Sequence, residues 1–127
     1  MNYRAPLRTV RHYGAAEHGT GHWIAQRVSA VALIPLTLWF TAALLYTVFT
    51  ANYTGAIAWI GRPWNTLALV LLVGAVFYHS QLGWQVIVED YVQGFWAKTA
   101  IIMAIKLVSL LVAAAAILAV LRVAFGG

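Results

Sequence analysis

Three long apolar runs, at 28–49, 64–88 and 99–124, constrain the fold of this chain more than any other feature. Each is near the roughly 20 residues that an α-helix needs to cross the hydrocarbon core of a bilayer. The composition agrees, because 63% of the 127 residues are hydrophobic and only 9% are charged, whereas a soluble domain is about one quarter charged. The sequence therefore predicts an all-α integral membrane protein with a single domain, 1–127, and no room for a soluble catalytic domain.

Positive charge is concentrated before the first apolar run. The cations there are Arg4, Arg8, Arg11 and Arg27. The only cation in the connection 50–63 is Arg62, and the only one in the connection 89–98 is Lys98. Because Lys and Arg are enriched on the cytoplasmic side of membrane proteins, the N-terminus and the second connection are predicted to be cytoplasmic and the C-terminus to lie outside. This distribution also explains the basic pI, near 10.0, without any nucleic-acid partner.

The segment 1–26 is expected to be polar and irregular, because Gly14, Gly19 and Gly21 weaken a helix. No signal peptide is visible, since the first apolar run starts near residue 28 and is too long for one. The first 13 residues contain Arg but one Thr and no Ser, so they are interpreted as an inside-anchoring segment and not as a transit peptide. These features favour the bacterial inner membrane over the mitochondrial one.

Polar positions near the spans give further local expectations. Residues 52–63 are expected to form an outer loop, with Trp59 and Trp64 at the membrane interface. The hydroxyl of Ser29 is expected to bond back to the backbone of its own helix. The chain has no cysteine, which excludes disulfides, thiolate-bound iron–sulfur clusters and a Cys-attached haem. Any iron–sulfur cluster therefore belongs to a partner.

The second apolar run contains a histidine, which is unusual at membrane depth. At 100° per residue, His79, Gly83, Val86 and Asp90 share one stripe of a helix. This stripe suits a flat cofactor, because His79 can ligate a metal while the missing Cβ of Gly83 lets a macrocycle lie against the backbone. Haem iron accepts histidine as an axial ligand. The alternative is a histidine that bonds a carbonyl of a neighbouring helix or a water molecule.

The other histidines offer no good second ligand from the same chain. They are His12, His18 and His22, all of which precede the first apolar run. His79 lies roughly 18 Å from Tyr91 along a helix axis, and therefore well inside the membrane. A second axial ligand is thus expected from another polypeptide. His22 remains a candidate for contacts with haem propionates or a quinone headgroup.

Polar residues are also expected to meet at the cytoplasmic membrane face. Asp90 and Tyr91 end the second run, and Arg27 begins the first run on the same side, at the depth of Tyr91. A phenol donates a hydrogen bond to a carbonyl, and a guanidinium binds propionates or a quinone oxygen. The three residues together suggest a quinone-reduction site, although a Tyr at such a position is usually an interfacial belt residue and an Arg there is commonly only an anchor.

The motif HWIAQRVSAVAL at 22–33, followed by His79-x₃-Gly83-x₆-Asp90-Tyr91, resembles the small hydrophobic membrane-anchor subunit of succinate dehydrogenase (respiratory complex II), the D-type cytochrome b subunit. The resemblance covers nearly the whole chain, and the His-to-Asp-Tyr spacing is its specific part. It implies that His79 is an axial ligand of haem b and that Tyr91 hydrogen-bonds ubiquinone. It also places the arginine at position 27 near the haem propionates. Some relatives have a histidine six residues before that arginine, whereas the spacing here is five.

The resemblance also implies partners. The chain would act as an anchor and electron-transfer subunit of succinate:quinone oxidoreductase, beside a second haem-binding anchor subunit, an iron–sulfur subunit and a flavoprotein subunit. Succinate would be oxidised at FAD in the flavoprotein. Two alternatives are a haem-free structural anchor and a small transporter or channel component. The second is disfavoured because all three acids lie outside the predicted spans. Other diheme quinone-reactive cytochromes usually need more membrane histidines.

Overall fold

The computed structural model describes the backbone of residues 5–126 and the side chains of residues 19–126. Helices are the only regular secondary structure in this part of the chain, and three of them are long and apolar enough to cross a membrane. The four helices are α1 (Ala5–Thr50), α2 (Tyr53–Ile60), α3 (Pro63–Tyr91) and α4 (Phe95–Ala124). The all-α fold with three spans is therefore confirmed, and the cytoplasmic N-terminus stays a prediction. The side chains of Arg4, Arg8, Arg11, His12 and His18 lie outside the described residues.

The first helix is much longer than the sequence suggested. α1 begins at Ala5 and runs through Gly14, Gly19 and Gly21, so the expectation of an irregular segment is wrong for residues 5–26. Extending an existing helix needs no new nucleus and adds one backbone hydrogen bond per residue. Each glycine weakens a helix by only about 1 kcal/mol relative to alanine. Three separated glycines are therefore not enough to end a helix that continues from a long apolar span.

The connection between the first two spans contains a short helix where a loop was expected. The side-chain oxygen of Asn52 accepts a hydrogen bond of 2.9 Å from the backbone N–H of Gly55 and caps the start of α2. Trp59 on α2 stacks on Trp39 of α1, with 5.6 Å between ring centroids. Trp59 is therefore packed against α1, whereas Trp64 is 81% exposed, as an interfacial residue would be.

The start of α3 is bonded to the end of α2. The side-chain amide of Asn65 donates a hydrogen bond of 2.8 Å to the backbone oxygen of Trp59. The hydroxyl of Thr66 donates a hydrogen bond of 2.6 Å to the backbone oxygen of Ile60. These carbonyls belong to the last turn of α2 and have no partner within that helix. The two side chains therefore fix α2 against the outer end of α3.

The turn between α3 and α4 is tighter than the predicted connection. Helix α3 continues to Tyr91, and α4 starts at Phe95 after Gly94, whose φ of +96° favours glycine. The ammonium of Lys98 donates to the backbone oxygen of Glu89 at 3.0 Å. This bond ties the first turn of α4 to the last turn of α3.

Helices α1 and α3 are antiparallel and enclose few buried residues. Ser29 contacts His79 near one end, while Phe40 and Leu44 line the same crevice as Leu69 towards the other. The buried apolar side chains in the described part are Leu69, Leu72, Leu82 and Val88. Most other large apolar side chains are exposed, as expected where lipid or a partner subunit covers the surface.

Candidate functional site

His79 is held by a hydrogen bond between two membrane-spanning helices. The Oγ atom of Ser29, a buried residue of α1, lies 3.0 Å from Nδ1 of His79 on α3. The same Oγ lies 2.9 Å from the backbone oxygen of Gln26. Within the described part of the chain this is the only hydrogen bond of the His79 ring. Its other nitrogen, Nε2, is therefore available to a ligand or a partner.

Open space adjoins His79 on its own helix. A Cβ atom placed on Gly83 would meet no neighbouring heavy atom within 4 Å. Side chains on a helix tilt towards its N-terminus, so a side chain at position 83 would extend towards the turn that carries His79. The predicted stripe thus has the two properties that a flat ligand needs, a free imidazole nitrogen and a surface without a side chain beside it.

The donor set fits haem better than a bare metal ion. Among the described side chains, no group of three or more His, Cys, Asp or Glu residues could hold a metal ion. A metal bound by His79 would therefore need most of its ligands from outside the described side chains. Haem meets this need, because its macrocycle supplies the equatorial nitrogens and the protein supplies only the axial ligands.

His22 lies on the face of α1 that also carries Ser29, because seven residues nearly complete two helical turns. It lies about 10.5 Å from Ser29 along the axis, towards the N-terminus of α1. Its Nε2 atom is buried and has no hydrogen-bond partner among the described residues. A buried nitrogen without a partner is costly, so a group from outside this part of the chain is expected there. His22 is too far along the axis to pair with His79 across one iron.

Arg27 is level with His79 but points to the other side of α1. It lies two residues from Ser29, or about 3 Å along the axis, and about 160° around the helix from it. Its guanidinium lies over the ring of Trp23, 5.1 Å from the centroid, and the side chain is exposed. The structure therefore does not bring Arg27 beside the imidazole of His79.

Asp90 and Tyr91 lie at the end of α3, far from His79. Tyr91 is 82% exposed and follows His79 by 12 residues, about 18 Å along the axis. Because α1 and α3 are antiparallel, Arg27 is about 15 Å from Tyr91 along the same direction. The expectation that Arg27 shares the depth of Tyr91 is wrong. Its cause is the early start of α1, which places Arg27 well inside the helix and not at its end.

Three contacts of this region escaped sequence reasoning. Ser29 makes the expected bond to its own backbone, but its bond to His79 was not expected. The shared face of His22 and Ser29 is the signal that could have suggested it. Glu89, to which no role was assigned, accepts a hydrogen bond of 2.8 Å from the side-chain amide of Gln85 and binds Lys98 through its backbone oxygen.

The described part of the chain has the character of a membrane-embedded subunit, with three apolar spans, few buried residues and, on His79, an imidazole nitrogen within a span that is open to a ligand. Residues 1–121 match the model of the succinate dehydrogenase/fumarate reductase transmembrane subunit. The chain belongs to this family, which confirms the resemblance seen in the sequence.

Individual relatives agree with the family. The succinate dehydrogenase hydrophobic membrane anchor subunit of Rickettsia bellii is 35% identical over 121 residues, which cover 94% of each chain. The subunit of the same name from Paracoccus denitrificans is 33% identical over 126 residues, covering 99% of this chain and 96% of the relative. No solved structure matches the chain. The bacterial relatives and the three apolar helices fit a multi-pass bacterial membrane protein.

Proposed function

We propose that the chain is a membrane-anchor subunit of succinate:ubiquinone oxidoreductase that binds haem b together with a second anchor subunit and forms part of the ubiquinone-reduction site. The observation that carries the haem proposal is the geometry of His79. Its Nδ1 is bonded to Ser29 at 3.0 Å, its Nε2 has no hydrogen bond to any described residue, and the surface at Gly83 beside it is open. A histidine that merely packed between helices would need neither the free nitrogen nor the open surface.

In this proposal, Nε2 of His79 would hold the haem iron and Gly83 would leave room for the macrocycle. A second ligand would come from the second anchor subunit, because His22 lies about 10.5 Å away along α1. Haem, when bound, accepts and donates single electrons near the quinone. His22 completes the surroundings of the haem from the side of α1, where it offers its buried nitrogen. Arg27 is exposed and lies about 160° around α1 from Ser29, so it is not assigned to these surroundings.

The quinone part of the proposal rests on Tyr91 and Asp90. Both are exposed at the end of α3, where a quinone headgroup and water can both reach them. Reduction of a quinone to a quinol takes two electrons and two protons, and the protons must come from the water side. The phenol of Tyr91 donates a hydrogen bond to a quinone carbonyl, and the carboxylate of Asp90 lies where it can exchange protons with water. Arg27 is not assigned to this pocket, because it lies about 15 Å away along the axis.

The remaining subunits hold the chemistry that this chain lacks. Succinate is oxidised at FAD in a flavoprotein subunit, and an iron–sulfur subunit passes the electrons to the membrane. The aromatic residues at the α3–α4 turn suit this contact and the bilayer interface. They are Tyr91, Phe95 and Trp96, which are 82%, 73% and 83% exposed. We place the complex in the bacterial inner membrane, with this turn on the cytoplasmic side.

The quinone proposal is tested by Tyr91→Phe in the purified complex. The variant keeps the ring and deletes one hydrogen bond, which contributes about 0.5–1.5 kcal/mol. At about 1.4 kcal/mol per decade, the KM for quinone should rise by at most about tenfold. Haem content and electron transfer from succinate to an artificial acceptor upstream of the quinone should not change.

The matched control is Tyr53→Phe. Tyr53 is as exposed as Tyr91, at 83%, but lies at the start of α2, towards the opposite end of the bundle. It should leave quinone kinetics at the parental value. Equal kinetics in the parent and in Tyr91→Phe would remove Tyr91 from the quinone site. A purified complex without haem would leave the chain as a haem-free anchor.

A further inference from the structure

The hydroxyl group of Ser29 has one hydrogen and two close neighbours. The backbone oxygen of Gln26, 2.9 Å away, can only accept a hydrogen bond. The hydrogen of Ser29 must therefore point to Gln26, because two oxygens at this distance would otherwise repel each other. The oxygen of Ser29 is then left as an acceptor towards Nδ1 of His79 at 3.0 Å. It follows that Nδ1 of His79 carries a hydrogen.

We propose that Ser29 is a positioning residue that holds the neutral imidazole of His79 in the Nδ1–H form, so that the lone pair on Nε2 is the one presented to a metal. The use of this lone pair by haem iron rests on the function proposed above. A hydrogen bond from the second ring nitrogen fixes the tautomer and the orientation of a metal-binding histidine and makes it a better donor. Here the contact is supplied by a neighbouring membrane span of the same chain.

The position of Ser29 distinguishes it from three threonines of α1. Thr37, Thr47 and Thr50 bond only to carbonyls of their own helix, three or four residues earlier. Ser29 is the buried polar residue of the described chain, at 7% exposure, and its hydroxyl joins two spans. Its bond to Gln26 determines which way its hydrogen points, and that direction in turn determines the tautomer of His79.

The first test measures the tautomer without haem. The full chain, labelled with ¹⁵N-histidine and placed in lipid bicelles, is compared with Ser29→Ala, Ser29→Thr and the control Thr37→Ala. The His79 signals are assigned by their loss in His79→Leu. The parent, Ser29→Thr and Thr37→Ala should show Nδ1–H and an unprotonated Nε2, whereas Ser29→Ala should lose this preference. A parent with hydrogen on Nε2, or an unchanged tautomer in Ser29→Ala, would overturn the proposal.

The second test uses the purified complex. Loss of a partner behind a metal-binding histidine typically lowers metal affinity by about 10- to 100-fold, so Ser29→Ala should retain haem less well. In the haem that remains, the weaker donor should favour ferrous iron. If the affinity of the complex for ferric haem falls threefold relative to its affinity for ferrous haem, the midpoint potential of the haem rises by about 28 mV, at 59 mV per decade. Ser29→Thr should restore both values, and Thr37→Ala should match the parent.

The two tests separate the two proposals. A complex that contains no haem, combined with the expected tautomers in the first test, would remove the haem function and leave the role of Ser29 standing. If the parent complex contains haem, and Ser29→Ala has the same haem affinity and midpoint potential as the parent, the role of Ser29 is refuted. The haem function then still stands.

Discussion

A side chain placed at Gly83 should interfere with haem and leave the chain itself intact. A Cβ atom at this position meets no neighbouring atom within 4 Å, so the folded chain has room for it. Alanine also favours a helix over glycine by about 1 kcal/mol, and α3 should be slightly more stable in Gly83→Ala. Gly83→Leu adds a branched group on the side of His79, where the macrocycle is proposed to lie. Overpacking of this kind costs about 1–3 kcal/mol, equivalent to about a 5- to 140-fold loss of haem affinity.

The assay is haem per complex, measured by the pyridine haemochromogen method and normalised to the amount of this chain. Gly74→Leu is the matched control, because Gly74 is on α3, also has no neighbouring atom within 4 Å of a Cβ, and lies nine residues earlier, on the opposite side of the helix. Haem content should fall in Gly83→Leu, fall less in Gly83→Ala and stay at the parental value in Gly74→Leu. Full haem occupancy in Gly83→Leu would show that the stripe faces something other than haem.

Two further predictions concern orientation and Arg27. Reporter fusions after residue 15 and within 92–97 should report the cytoplasm, and fusions after residue 127 the opposite side, because the basic N-terminal segment stays inside; a cytoplasmic C-terminus would overturn the placement of Tyr91. Arg27→Ala should leave the KM for quinone within about twofold of the parent, because Arg27 lies about 15 Å from Tyr91 along the axis. A rise as large as that in Tyr91→Phe would place Arg27 in the quinone pocket after all.

Hydropathy and charge predicted the number and type of the spans but not the ends of the helices. A run of apolar residues reports where the chain is in lipid, whereas a helix continues into the polar region as long as its backbone hydrogen bonds are favourable. This is why α1 extends to Ala5 and α3 to Tyr91. The helix α2 was missed because it is only eight residues long, although Asn52 with its side-chain cap was a usable start signal.

The stripe of His79 and Gly83 could be predicted because both residues lie on one helix, where spacing fixes the geometry. The Ser29–His79 bond joins residues 50 positions apart. To predict this bond, one must know how far α1 is shifted along its axis relative to α3. The periodicity of residues within each helix gives no information about that shift. Because this axial shift was unknown, Arg27 was wrongly placed at the depth of Tyr91. Arg27 lies at the start of the apolar run, and that position was assumed to be the membrane face.

The central claim is that Nε2 of His79 ligates haem, and the reduced-minus-oxidised spectrum of the purified complex tests it most directly. His79→Leu should weaken or abolish the low-spin b-type signal. His22→Leu should retain low-spin ligation, because His22 lies about 10.5 Å from the level of His79 along α1. An unchanged bis-histidine spectrum in His79→Leu would contradict the account.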